Sequence, residues 1–337
     1  MTERPVTSGL IDLASRALGG SVMWCTDEFF ADASHLIEPG EPVHDPSAFT
    51  PRGKAYDGWE SRRRRSGDRD SAIIRLGIPG QVRAFVVDTA FFTGNAPTAV
   101  SVDGVAIDGH PGVEELLGAQ WLPVLGRTPV DPDSQATLAV DDERRFTHVR
   151  LTMYPDGGVA RLRVLGEAVP DPRFLLSTID LVSIEVGGRV VTTSNEHYSP
   201  SSNVLRPGPA RGMHEGWENA RRRTPGHESL EIVLGLPGTP EVLEIDTSYF
   251  VGNAPAAIRV HGLRTGQQAE SWIEILPETA VQPDTPHRWL LSLQEEIAAL
   301  RIDAIPDGGI ARVRLWGSIS PDTRERARLR WAQTPPG

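Results

Sequence analysis

Asp88-Thr-Ala-Phe-Phe-Thr-Gly-Asn-Ala-Pro97 returns 158 positions later (246 − 88) as Asp246-Thr-Ser-Tyr-Phe-Val-Gly-Asn-Ala-Pro255, with seven of the ten residues unchanged. Gly58-Trp59-Glu60 returns at the same spacing as Gly216-Trp217-Glu218. Upstream, Gly19-Gly20 and Asp27-Glu28-Phe29-Phe30 align with Gly187-Gly188 and Asn195-Glu196-His197-Tyr198. Downstream, Pro155-Asp156-Gly157-Gly158 and Arg161 align with Pro306-Asp307-Gly308-Gly309 and Arg312. Each copy is roughly 150 to 165 residues long, the size of a whole domain, whereas solenoid units run about 20 to 45 residues. The 337 residues therefore predict two cores, one per copy: residues 1–170 and 171–337, with the break where Pro170, Asp171 and Pro172 interrupt regular structure.

Within a copy the apolar residues alternate. Ala160, Leu162 and Val164 fall on one face of an extended segment and Arg161 and Arg163 on the other, and Ala311, Val313 and Leu315 repeat this against Arg312 and Arg314. Ile73 to Leu76, Val82 to Val87 and Val149 to Met153 read as further short strands, punctuated by Gly and Pro as in sandwiches and jelly rolls. Helix is minor, with Leu10 to Leu18 and Glu114 to Gln120 as candidates. Asp156-Gly157-Gly158 and Asp307-Gly308-Gly309 read as hairpin turns.

A formal net charge of −11 makes nucleic acid and anionic membranes unfavourable partners. No apolar run long enough for a signal peptide core or a membrane span is present, and the single cysteine, Cys25, excludes an intrachain disulfide, so a cytoplasmic setting is expected. The nine histidines show no ligand spacing of a zinc hydrolase, and neither a Gly-x-Ser-x-Gly nor a P-loop occurs.

The densest chemistry lies at Asp57-Gly58-Trp59-Glu60 with Arg62 to Arg65, mirrored by Glu215-Gly216-Trp217-Glu218 with Arg221 to Arg223. A guanidinium fork suits a substrate carboxylate, and an ionised carboxylate accepts hydrogen bonds from amide or ureido N–H groups. The competing reading is a set of surface ion pairs worth little energy. Asn95 and Asn253 sit in segments that read as tight turns with Gly and Asn at positive φ, yet each side chain carries both a donor and an acceptor. Asp88 and Asp246, at strand ends, read equally as turn caps or site residues. Arg161 and Arg312 either line a concave sheet surface or face solvent.

Asp12-Leu-Ala-Ser-Arg-Ala-Leu-Gly-Gly20, Thr26-Asp-Glu-Phe-Phe-Ala31, Gly58-Trp-Glu60 with its arginines, Asp88 to Pro97 and Tyr154-Pro-Asp-Gly-Gly158, in this order and twice over, resemble the allantoicase family across roughly residues 8 to 318. The resemblance implies an all-β protein of two tandem galactose-binding-like jelly-roll β-sandwich domains. It also implies hydrolysis of allantoate to ureidoglycolate and urea, and assembly into homo-oligomers. The two copies differ: Arg62 is matched by Ala220, Thr93 by Val251 and His148 by Ala299. Unequal sites are therefore expected.

Allantoate carries a carboxylate and two ureido groups on one carbon, so its cleavage needs a proton for the departing urea and a base or placed water for attack. The expected catalytic residues are Glu60 or Glu218, with Asp88 and Asp246 as further candidates. Arg63, Arg64, Arg221, Arg222, Arg161 and Arg312 are expected to bind the substrate carboxylate, and Asn95 and Asn253 the ureido groups. No metal ligand set is identified, although a divalent ion such as Mn²⁺ would be tolerated by the acidic residues. The alternative is a non-catalytic small-molecule or carbohydrate-binding jelly roll, which would call for exposed aromatic platforms; only 6% of residues are aromatic and no stripe of them appears.

Overall fold

A computed structural model describes residues 9–64, 69–265 and 272–333. The chain divides after Val169 into two compact units, the second running Pro170–Arg330, while residues 331–333 count with the first. Trp331 does so through Arg145, whose guanidinium lies 3.7 Å from the indole centroid and donates from Nε to the Trp331 carbonyl at 3.2 Å.

In each unit one long strand organises the sandwich. In the first it is Asp70–Asp88, whose leading half pairs with Arg145–Tyr154 and Ser21–Cys25 and whose trailing half pairs with Arg161–Ala168 and Gln135–Ala139, all antiparallel. Ala99–Val105 and Leu122–Pro129 extend the first layer and Ile11–Asp12 the second. The second unit repeats this about Glu228–Asp246, shared between a layer with Arg189–Thr193, Ile297–Ile305, Ala257–Arg264 and Trp272–Ala280 and a layer with Arg312–Ser318, Pro286–Leu290 and Ile179–Asp180. The apolar stretches Ile73 to Leu76 and Val82 to Val87 are thus one strand. Gly77-Ile-Pro-Gly80 between them stays extended while the strand passes from one layer to the other, where a side chain on Gly80 would meet the Glu167 carbonyl at 2.4 Å.

Alternation places the cores as expected. Ile73, Phe85, Val87, Val102, Phe146, Val149, Leu162 and Val164 are fully buried or nearly so in the first unit, as are Ile232, Leu243, Ile245, Val260, Leu300, Ile302, Val313 and Leu315 in the second. Burying such side chains contributes about 1.5–3 kcal/mol each, which offsets the conformational entropy of a chain with little helix.

Two local expectations are corrected. Leu10 to Leu18 is not a helix: Asp12 Oδ1 accepts from the backbone N–H of Ala14 (3.3 Å) and Val164 (3.0 Å), which holds Ile11–Asp12 as an edge strand. Only Arg16–Leu18 turns, as one 3₁₀ turn ended by Gly19 at φ 89°. Asp156-Gly157-Gly158 is not a hairpin, because the strands on either side pair with Asp70–Asp88 and not with each other. The Glu114 to Gln120 candidate is the six-residue helix Val113–Gly118, and an unanticipated helix, Pro321–Trp331, closes the second unit.

Candidate functional site

At one end of the first sandwich, Gly158–Val159 pairs antiparallel with Trp59–Glu60, with Gly158 opposite Glu60. The Trp59 indole is buried and donates from Nε1 to the Asp27 carbonyl at 2.8 Å, which fixes the strand from below. The Asn95 loop closes on the same turn, since the Gly158 N–H donates to the Asn95 carbonyl at 2.8 Å. Gly157 (φ 130°) and Gly158 allow this approach: a Cβ on them would meet the Asn95 carbonyl oxygen at 2.2 Å and the Phe92 ring at 2.0 Å. The outcome is one bond that no stretch of sequence contains. Asn95 donates from Nδ2 to Glu60 Oε1 at 2.7 Å.

The second sandwich repeats the arrangement. Gly309 donates to the Asn253 carbonyl at 2.7 Å, the Trp217 indole donates to the Asn195 carbonyl at 2.7 Å, and Asn253 Nδ2 donates to Glu218 Oε1 at 2.7 Å.

The arginines beside each glutamate divide into two kinds. Arg62 pairs with Asp27 at 2.6 Å. Arg64 donates from Nε to the fully buried Asp70 at 2.7 Å, and its backbone N–H is capped by Asp156 Oδ2 at 2.7 Å. Arg222 likewise approaches Glu228 at 3.2 Å and donates its backbone N–H to Asp307 Oδ2 at 2.8 Å. Arg63 and Arg221, by contrast, are exposed and make no side-chain hydrogen bond or ion pair among the described residues. Arg65 lies outside the described residues.

The remaining sequence candidates are occupied elsewhere. Asp88 and Asp246 are buried and cap their turns, accepting from the N–H of Ala90 at 2.7 Å and of Ser248 at 2.8 Å. Arg161 and Arg312 neither line a concave face nor reach solvent. Each is 3% exposed, and Arg161 donates to the carbonyls of Gly40, Asp57 and Ala160 and pairs with Asp57 at 2.7 Å. Burial would raise the Asp57 carboxyl, but the Arg161 side chain and the Val43 N–H outweigh it and hold it at about 2. Arg312 donates to the carbonyls of Gly208, Glu215 and Ala311, and burial, with Arg314 nearby, pulls its guanidinium down to about 10. Positive φ in the Asp88 and Asp246 loops falls on Phe91 and Tyr249 (both 70°) and not on Gly94 or Asn95.

Burial raises the Glu60 carboxyl above its ordinary range, opposed by the Asn95 hydrogen bond. Against Phe91 and Phe92, in the loop that carries Asn95, stands an aromatic wall the sequence did not announce. His44 stacks on Phe91 (5.1 Å between centroids) and on Tyr56 (5.7 Å), and Tyr56 on Phe92 (4.8 Å). Its signal was a change of offset between the copies. Gly187 follows Gly19 by 168 positions but Gly216 follows Gly58 by 158, so the first copy holds ten more residues between those points. The family pattern described as "Allantoicase repeat" matches residues 11–169 and again 179–320.

The chain belongs to the allantoicase family, and with it to the hydrolases. It is 47% identical over 315 residues to a probable allantoicase of Nocardia farcinica, covering 92% of this chain and 94% of that protein. To a probable allantoicase of Streptomyces avermitilis it is 44% identical over 336 residues, 96% and 89% of the two chains. The crystal structure of allantoicase from Saccharomyces cerevisiae superposes with a TM-score of 0.80 at 32% identity, over 92% of this chain and 94% of that one. In this allantoicase-family chain the Glu–Asn bond, and an arginine without a side-chain partner among the described residues, occur in both repeats, while the aromatic wall belongs to the first. Among the described residues no group of three or more His, Cys, Asp or Glu side chains is gathered as a metal would require.

Proposed function

We propose that this chain hydrolyses allantoate to ureidoglycolate and urea, with Glu60, Asn95 and Arg63 of the first repeat as the reacting site. The observation that carries the assignment is the 2.7 Å bond between Asn95 and Glu60, three residues along the chain from an exposed arginine with no side-chain partner among the described residues. Arg63 takes the substrate carboxylate as a charge-assisted pair. Among the described residues the Asn95 side chain bonds only to Glu60, which leaves its second N–H and its Oδ1 to a ureido group, which offers a carbonyl and N–H donors in return.

The chemistry needs one carboxyl used twice. Glu60 gives its proton to the nitrogen of the departing ureido group, the lone pair of the other ureido nitrogen forms a C=N bond, and the C–N bond breaks to release urea. Water then adds to the central carbon, forming the new C–O bond as the C=N π pair returns to the ureido nitrogen, and the water's proton returns to Glu60. Partial burial favours the protonated start of this cycle. The protein donors at Glu60, one carboxylate and one amide, are too few to hold a divalent ion by themselves, and the steps above are carried by the chain's own residues. The reading includes a cytoplasmic setting and assembly into homo-oligomers. Sedimentation velocity reads the assembly, and a monomer at micromolar concentration would count against it.

The test of the site compares urea release from allantoate by Glu60→Gln and Glu218→Gln. Loss of an acid/base group costs about 10²- to 10⁴-fold in kcat/KM, and this loss is expected at Glu60, with a smaller one at Glu218. Losses under about threefold in both variants, with unchanged melting, would make the glutamates structural; losses of equal size would mean two equivalent sites.

A further inference from the structure

The second repeat keeps the binding half of the site without its surroundings. Glu218 and Asn253 hold the 2.7 Å bond, the Asn253 loop is tied to Gly309 at 2.7 Å, and Tyr249 repeats the left-handed, exposed position of Phe91. Arg221, like Arg63, stands exposed and without a side-chain partner among the described residues. A structural Glu–Asn bond alone would not need a free guanidinium three residues along the chain in both copies. The other paired arginines show what structural duty looks like here: Arg64 and Arg222 are both drawn to a buried carboxylate.

Three differences separate the copies. The second lacks the ten residues that carry His44 over Phe91, so its loop is open where the first has a wall. Arg52 and Arg62 both lie 5.1 Å from the Phe29 ring in the first copy, whereas in the second Ala220 replaces Arg62 and His197 replaces Phe29. The Met213 sulfur sits 3.7 Å from Asn253 Nδ2, so an N–H that Asn95 has available is here partly engaged by a weak acceptor. The first two changes remove shielding and cationic charge, and the third weakens one donor, while the carboxylate-binding arginine and the amide remain.

We infer that the second repeat holds a separate binding site for a ureido carboxylic acid, weaker than the first, made by Arg221, Asn253 and Glu218. This rests on the reading of the first repeat given above. Such a site takes substrate or product, since allantoate and ureidoglycolate both pair a carboxylate with a ureido group, and it makes each chain bind two ligands.

The probe is N-carbamoylglycine, a ureido acid with a single ureido group and so without the second nitrogen that expels urea, titrated calorimetrically into the full chain. Wild type is expected to take two equivalents per chain with affinities up to about tenfold apart, the difference of one neutral hydrogen bond. Arg221→Ala removes an exposed, unpaired side chain and leaves the fold intact; it should abolish the weaker equivalent, and Asn253→Ala should do the same. Arg63→Ala should abolish the tighter one. One equivalent in wild type, or two persisting in Arg221→Ala, would overturn the second site. The parent reading fails differently: if Asn95→Ala with Arg63→Ala turns over allantoate at the wild-type rate, the first-repeat assignment is wrong however many equivalents are counted.

Discussion

Arg161 Nη2 meets Asp57 Oδ2 at 2.7 Å, three residues before Glu60, and the pair is what sets the height of the segment that carries the glutamate. Arg161 leaves the strand Arg161–Ala168 and reaches under the loop to the carbonyls of Gly40 and Asp57, so strand and loop move together.

Removing that arginine should therefore cost stability first. Arg161→Ala leaves buried carbonyls and the Asp57 carboxylate without their cation, a loss of about 3 kcal/mol, visible as a fall in melting temperature at pH 7. The Asp57 carboxyl is held at about 2 in the folded chain against its ordinary 3.8, so its share of this stability is present above pH 3.8 and lost as pH falls toward 2. The gap between wild type and variant should narrow there. An unchanged melting temperature at pH 7 would show the pair to be dispensable.

Neighbouring arginines should behave as opposites. Arg63→Ala is expected to raise KM for allantoate about 10- to 100-fold, the loss of one charge-assisted hydrogen bond, with melting unchanged. Arg64→Ala strips the fully buried Asp70 of its cation and should destabilise by about 3–5 kcal/mol. Steady-state kinetics beside thermal melts separate the two, and a reversed pattern would exchange their roles.

Glu60 must begin the cycle protonated. Burial sets its carboxyl above the ordinary 4.5, so the protonated fraction is lost, and kcat/KM with it, as pH rises through that elevated value. Glu60→Gln should lack this limb, and Asn95→Ala, which removes the bond favouring the ionised form, should shift it to higher pH. A wild-type pH profile retained in Glu60→Gln would assign the proton to another group.

His148 offers a stability test clear of the active site. It is 2% exposed, and burial, with Arg75 nearby, lowers its imidazole to about 4 from 6.5. The unfolded chain thus binds a proton that the folded one refuses between pH 6.5 and 4, so stability is full above 6.5 and falls through that window, by on the order of 2–3 kcal/mol. In His148→Ala, the residue the second repeat has as Ala299, urea midpoints should change less across this range than in wild type. Parallel curves would exclude His148 as the source.

Metal content follows from the donor set at Glu60. Purified protein should carry no stoichiometric zinc or manganese, and dialysis against a chelator should leave urea release unchanged. Elemental analysis finding one ion per chain, removed together with activity, would refute this.

Duplication and its period were legible in the sequence because they are carried by Gly, Asn, Asp and Pro at turns, where backbone geometry dictates residue type. The β class was legible too, because Ala160, Leu162 and Val164 alternate with Arg161 and Arg163. Alternation shows that Arg161 faces away from the core but not that a loop covers that face, so its burial was out of reach. The same limit turned Ile73 to Val87 into two strands on paper, since Gly77-Ile-Pro-Gly80 reads as a break and only the neighbouring strands keep it extended.

Residue types alone proposed Glu60, Asn95 and a cluster of arginines, in both copies. Which of them meet was decided by tertiary structure. Glu60 and Asn95 lie 35 residues apart and touch only because Gly157 and Gly158 let two loops close on one another. Arg64 is paired, and Arg63 has no side-chain partner among the described residues, because a strand places Asp70 beneath one of them, and the stack of His44 over Phe91 depends on a ten-residue difference in loop length. Sequence determines what each segment prefers on its own; which side chains share a site depends on contacts between distant segments, and only the packed sandwich supplies those.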